Sequence, residues 1–156
     1  MLRIRQAASM DFLAVATLLN SAYKPAGVDL DESADTVRER AQTALVIVAE
    51  LFGIVVATVT LAGAGSKFGH MASGGQVQAS RIAVDPAFQN HGVGSQMLHA
   101  VIDSCRQRGI QSIVGMSLES MPVAHGLYEG LGARPAPIAG GNARTYTLNL
   151  TEKTVS

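Results

Sequence analysis

One cysteine, Cys105, occurs in 156 residues, charged residues make up only 15%, and 12 basic side chains offset 12 acidic ones. A lone cysteine excludes an intrachain disulfide and any multi-cysteine metal site, which suits a reducing, cytoplasmic setting. The balanced charge, set against 47% apolar residues, argues against disorder, a polybasic tail or a nucleic-acid-coating surface. A small-molecule partner is expected, and neither nucleic acid nor membrane. The histidines at 70, 91, 99 and 125 lack the close pairings of catalytic zinc sites, so no metal is expected. The opening Met1-Leu2-Arg3-Ile4-Arg5-Gln6 has no apolar stretch of signal-peptide length behind its charges, so secretion is not indicated. The length suits a single domain, 1–156.

What the chain does have is apolar runs. Residues 44–65 are long enough to span a bilayer, with Glu50 their sole charge. An acid at the centre of a membrane helix costs about 2.5–3.5 kcal/mol, and the Val, Ile and Thr of this run prefer strands. The segment is therefore read as a buried β-hairpin, with strands at 44–50 and 54–62 around a turn at 50–53. Upstream, a strand at 2–5 precedes an apolar stripe of helical spacing at Phe12, Val15, Leu19 and Ala22, with Ser9 as its cap. Lys24-Pro25-Ala26-Gly27 breaks that helix, and an acidic stretch containing Asp29, Asp31, Glu32 and Asp35 leads into a second at 35–42. The Gly-, Ala- and Ser-rich loop at 63–75 either folds over a ligand or is a plain surface connection.

A strand at 77–84 follows, ended by Pro86. Then comes the strongest helix, 92–108, with Val93, Met97, Val101 and Cys105 every four residues and Gly109 at its stop. A strand at 112–118, a helix at 121–131 and strands near 134–136 and 145–150 complete the chain. Such interleaving predicts an α/β (α+β) fold with a mixed, mostly antiparallel central sheet flanked by helices.

The informative stretch is Arg81-Ile82-Ala83-Val84-Asp85-Pro86-Ala87-Phe88-Gln89-Asn90-His91-Gly92-Val93-Gly94-Ser95: a strand, a turn and two glycines opening the long helix. The first turn of a helix has unpaired N–H groups and the positive end of the macrodipole, so it suits an anion that glycines let approach closely. Glycines also open helices for packing alone, and the pair by itself leaves both readings standing. A P-loop is excluded because no Gly-Lys-Ser/Thr is present, and the dinucleotide G-x-G-x-x-G is incomplete because Met97 stands at its third glycine.

Taken whole, this segment, with its Gln-x-x-Gly-x-Gly core at Gln89, Gly92 and Gly94, resembles the acyl-coenzyme A motif of the GNAT superfamily of N-acyltransferases. Further on, Val123-Ala124-His125-Gly126-Leu127-Tyr128-Glu129-Gly130-Leu131-Gly132-Ala133 resembles that superfamily's later Ala-x-x-Leu-Tyr-Glu-x-Leu-Gly-Phe helix. Two motifs in order, on a matching order of elements, extend the likeness over nearly the whole chain. The resemblance implies strands splayed around acetyl-coenzyme A (acetyl-CoA) as co-substrate. It places pantetheine on main-chain groups of Ile82, Ala83 and Val84, and pyrophosphate at the loop of Gln89, Asn90, His91, Gly92, Val93, Gly94 and Ser95. It gives Tyr128 the role of protonating the departing thiolate. The acceptor it implies is a primary amine, on a small molecule or a peptide, attacking directly in a ternary complex. GNAT relatives are often dimers, which leaves a homodimer open.

The departures are specific. The turn carries no Lys or Arg, so backbone amides, the helix dipole and a protonated His91 are left to hold two phosphates. Met121 replaces a common asparagine and Ala133 the usual phenylalanine. No carboxylate lies at 76–84, and Met116 stands where some relatives have a glutamate base, leaving Glu119 as the candidate base or merely a helix-start acid. The alternative to an enzyme is therefore an acyl-CoA-binding module of the same fold that turns over weakly or not at all. Asp29, Asp31 and Glu32 either attract a cationic amine or form a solvated loop. Valine at Gly92 or Gly94 is expected to block phosphate and leave folding intact.

Overall fold

The computed structural model of the chain describes residues 1–118, 122–137 and 143–151. After strand β1 (Leu2–Gln6), the apolar run at 44–65 folds back on itself as the antiparallel pair β2 (Leu45–Leu51) and β3 (Ile54–Gly63). Glu50, the charge within that run, is bonded by the Arg5 guanidinium across the β1–β2 pair at 3.1 Å. The hairpin turn is Phe52-Gly53, both at positive φ (52° and 80°) between the paired residues Leu51 and Ile54, the geometry of a type I′ turn. A phenylalanine is strained there, and its ring is 85% exposed, so little packing compensates. Phe52→Asn is expected to raise stability by about 1 kcal/mol, since asparagine tolerates the left-handed region. A higher urea midpoint at unchanged m-value checks this.

The remaining strands are β4 (Gln76–Val84), β5 (Ser112–Leu118), β6 (Arg134–Pro137) and β7 (Ala143–Asn149). They form one sheet in the order β1-β2-β3-β4-β5-β7-β6. Every neighbouring pair is antiparallel except β4–β5, which is parallel. A parallel pair needs a crossover, and α3 (Val93–Gln107) supplies it. The expected mixed, mostly antiparallel sheet flanked by helices is what forms. No helix among the described residues is long and apolar enough to cross a membrane.

Alternation along β2 sends its side chains to two cores. Val46 and Val48 pack with Phe12, Val15, Leu19 and Tyr23 of α1 (Phe12–Tyr23) and Val37 of α2 (Ala34–Thr43). Ile47 and Ala49 face the other way, toward Met97, Leu98, Val101 and Cys105 of α3. Fully burying a residue such as Leu19 or Met97 stabilises the fold by about 1.5–3 kcal/mol. Ser9 does not cap α1 as expected. It opens a short 3-10 turn, and the Asp11 carboxylate accepts the Ala8 N–H at 2.7 Å instead. Two bonds from Arg5 (2.7 and 3.0 Å) hold that carboxyl below its usual range. The α1 stripe also ends differently, with Tyr23 buried and Ala22 only half-buried.

Candidate active site

Strands β4 and β5 pair only from Gln76 opposite Ser112 to Ala79 opposite Gly115. Beyond that rung both continue without each other, leaving an opening in the middle of the sheet. An irregularity in β4 sits at the same point: Ser80 lies opposite Thr60 and Ala83 opposite Thr58, three steps against two. The extra residue is a β-bulge, with Arg81 at φ 50°. It returns Ile82 to the face that Ala79 occupies, against α3. On the opposite face the Tyr23 hydroxyl donates to the Ile82 carbonyl at 3.1 Å, so the end of α1 braces the bulged strand.

Helix α4 (Pro122–Gly130) places Tyr128 over this opening. A Cβ at Gly115 would stand 3.6 Å from the Tyr128 hydroxyl oxygen, which puts the hydroxyl at the last rung before the strands part. That hydroxyl is buried and has no hydrogen-bond partner among the described residues. Burial also pushes its pKa well above the usual phenol range. Its ring lies 5.0 Å from that of Tyr146, whose own hydroxyl donates to Glu129 Oε2 at 2.8 Å. Orphaned buried donors are rare in proteins, and Tyr128 lines a small apolar cavity of about 30 Å³ with Ala79, Gly115, Leu98 and Tyr146.

After β4, the Asp85 side chain accepts the Ala87 N–H and a 3-10 turn at Pro86–Phe88 redirects the chain. The Gln89 amide turns back to the Val84 carbonyl at 3.2 Å and steadies the loop. Asn90 and Gly92 both take positive φ (66° and 78°), conformations that point successive amides into one concavity. No side chain caps α3. A cavity of about 300 Å³ lies against these amides, lined by Val84, Gln89, Asn90, Gly92, Val93, Gly94, Ser95 and Leu127, among others. Its residues fit a pyrophosphate: free first-turn amides, the positive end of a 15-residue helix, and glycine where φ demands it.

The expected loop residues thus come together with one exception. His91 lines a separate cavity with Leu2, Leu51, Ala87, Phe88 and Gln96. Gly94 is also more than a gap for phosphate. A Cβ there would sit 3.1 Å from both Leu127 methyls and from Val84 Cγ2, so the expectation that valine leaves folding intact is revised. Of the main-chain positions expected to meet pantetheine, the Ile82 and Val84 carbonyls already accept Tyr23 and Gln89. Ala83 faces the α1 core. Glu119 and Met121 lie outside the described residues. Cys105 is buried in the α3 stripe, and burial raises its thiol pKa.

On the far side of the opening is a second cavity, of about 310 Å³, between α1, the 63–75 loop and the ends of β4 and β5. Tyr23, Arg40, Lys67, His70, Arg81 and Met116 are on its wall. Of the two readings left open for the 63–75 loop, the one bearing on a ligand gains a physical basis, since Lys67, Phe68 and His70 face this space. The acidic stretch does not: Asp29 and Asp31 are exposed outside it, and the buried Glu32 carboxylate sits 2.7 Å from Arg40. Tyr23 and Arg81 give no signal in sequence, because each acquires its place through tertiary contacts and a bulge.

The acetyltransferase (GNAT) family model matches residues 12–133. Among solved structures, the ribosomal-protein-S18-alanine N-acetyltransferase from Escherichia coli is similar at TM-score 0.76 and 21% identity, over 99% of this chain and 97% of that one. A GNAT-family acetyltransferase from Staphylococcus aureus Mu50 is similar at TM-score 0.80 and 16% identity, over 97% and 100%. An acetyltransferase from Salmonella typhimurium with its cofactor acetyl-CoA gives 0.75 and 21%, over 99% and 96%. At such identities these likenesses concern the fold. No curated protein matches the chain by sequence. The family match spans most of the chain, on a sheet that opens between parallel strands beside an uncapped helix, and the chain belongs to the GNAT family of acetyltransferases.

Proposed function

We propose that this chain is a single-domain cytoplasmic N-acetyltransferase that moves an acetyl group from acetyl-CoA to a primary amine by direct attack, with both substrates bound at once. The observation that carries this is the buried, unpartnered Tyr128 hydroxyl at the point where β4 and β5 part. Acetyl-CoA supplies the activated acetyl thioester. The amides of residues 92–95 and the α3 dipole hold its pyrophosphate, and the loop braced by Gln89 keeps them in place. The neighbours solved with acetyl-CoA or coenzyme A, and those named as ribosomal-protein-alanine acetyltransferases, support this donor and an amine acceptor.

Tyr128 hydrogen-bonds the sulfur as negative charge develops on it. With its pKa raised by burial, the phenol keeps its proton across the neutral range. Donation therefore stabilises the charge more than outright transfer does, a refinement of the matched proton affinities that unperturbed groups have. Direct attack is favoured over an acyl-enzyme because the cysteine, Cys105, is buried in the α3 stripe and does not line the second cavity. Lys67 is paired with Glu39, and the Tyr23 hydroxyl donates to the Ile82 carbonyl. His70 is an imidazole on that wall able to accept the amine's proton.

Thiol release from acetyl-CoA over a panel of amines, with calorimetric titration of coenzyme A, tests the proposal. Amine-dependent release supports it, and coenzyme binding without release by any amine favours the binding module. Because His91 lines a neighbouring cavity and not the loop cavity, wild type and His91→Ala are expected to show the same change of coenzyme affinity between pH 6 and 8. A flattened slope in the variant would mean that His91 reaches the phosphates.

A further inference from the structure

Every charged side chain on the wall of the 310 Å³ cavity is basic: Arg40, Lys67 and Arg81, joined by the imidazole of His70. No carboxylate lines it among the described residues. The nearby acids are already engaged, Glu32 at 2.7 Å from Arg40 and Glu39 with Lys67. Arg81 makes no ion pair among the described residues, and its backbone is held at φ 50° in the bulge. Bulges and left-handed non-glycine residues concentrate where a side chain must be aimed. Arg40 is 4% exposed, its Nη2 forming an ion pair with Glu32 at 2.7 Å and its Nε donating to Thr60 Oγ1 at 3.2 Å. With Arg40 paired to Glu32 and bonded to Thr60 Oγ1, and Lys67 paired to Glu39, the guanidinium of Arg81 is the one on this wall without an ion pair among the described residues.

Such a wall offers no carboxylate to hold a polyamine, and its unpaired Arg81 favours an amine that brings its own negative charge. We infer that the acceptor is a small amine bearing a carboxylate, of which a free α-amino acid is the minimal case, and that Arg81 binds the carboxylate. This rests on the acetyltransferase proposal for its amine and adds the acceptor's chemical class. A cavity of this size is at the small end of ligand sites. A peptide N-terminus would present an uncharged amide where the free amino acid presents its carboxylate, so an amino-acid amide stands in for a peptide.

The test compares L-amino acids with their α-amides and with spermidine in the thiol-release assay. In parallel, saturation-transfer NMR measures the same compounds binding to the protein without coenzyme. The best acids are expected to exceed their amides by about tenfold to a hundredfold in kcat/KM, the span of a charge-assisted pair. Arg81→Gln should reduce that ratio to within about threefold, and Arg81→Lys should restore part of it. Arg81→Gly, which suits the left-handed backbone, should lose the preference with no loss of thermal stability, which separates the effect from misfolding. Amides or spermidine used as well as the acids would overturn the inference while leaving the acetyltransferase standing. Acids that bind by NMR and are never acetylated would support the carboxylate site and overturn the acetyltransferase. Absence of binding and of preference together would overturn the inference outright.

Discussion

Tyr128→Phe is expected to lower kcat by about a hundredfold to ten-thousandfold, the span of a positioned acid–base group, with coenzyme A affinity changed by less than about twofold. The hydroxyl is the only group removed, and it makes no hydrogen bond among the described residues. No internal bond is broken, so the fold should hold or gain slightly, since deleting an unsatisfied buried donor relieves a cost of about 1–3 kcal/mol. The ring keeps its packing on Tyr146. A fall in kcat without a fall in thermal midpoint places the hydroxyl in the transition state. A variant retaining more than half the wild-type rate would remove Tyr128 from the chemistry.

The two loop glycines should fail differently. Gly92→Val places a branched residue at φ 78°, a strain of about 1–3 kcal/mol that the loop can relieve by shifting. Space around it is open, since a Cβ added there would meet nothing nearer than Gln96 Nε2 at 3.8 Å. Coenzyme binding should fall below calorimetric detection with a small change in thermal midpoint. Gly94→Val forces side-chain carbons against Leu127 and Val84, which a Cβ alone would already approach to 3.1 Å. Overpacking of that kind costs about 1–3 kcal/mol, which at this length lowers the midpoint by roughly 2–4 °C per kcal/mol. Gly94→Val should thus lose both binding and stability. Wild-type affinity in either variant would contradict the phosphate cradle.

Much of this architecture is legible because it depends on period and punctuation. The four-residue spacing of Val93, Met97, Val101 and Cys105 announces α3, and Gly109 ends it with φ 74°. The 44–65 run reads as a hairpin because its composition favours strands. The pairing of Glu50 with Arg5, which makes a charge tolerable there, is a cross-strand contact that no local pattern reveals. Ser9 is the obvious cap by residue type, yet Asp11 serves because Arg5 anchors its carboxylate.

The loop motif marks where a phosphate belongs but not which way each side chain turns, and His91 and Gly94 differ for that reason. The acceptor side is least legible. Tyr23 meets Ile82 across 59 residues of sequence. Ala79-Ser80-Arg81-Ile82 looks like ordinary strand until the sheet register exposes an extra residue. The acids at 29–32 suggest a cationic acceptor, but Glu32 is paired with Arg40 and Asp29 and Asp31 lie outside the cavity, which leaves Arg81 on its wall.

The account stands most directly on free-thiol release from acetyl-CoA by wild type and Tyr128→Phe, measured beside calorimetric coenzyme binding on the same preparations. It predicts release that requires an amine, is reduced at least about a hundredfold in the variant, and accompanies equal binding heats. Equal release from both proteins, or intact binding with no release from any amine, would contradict it.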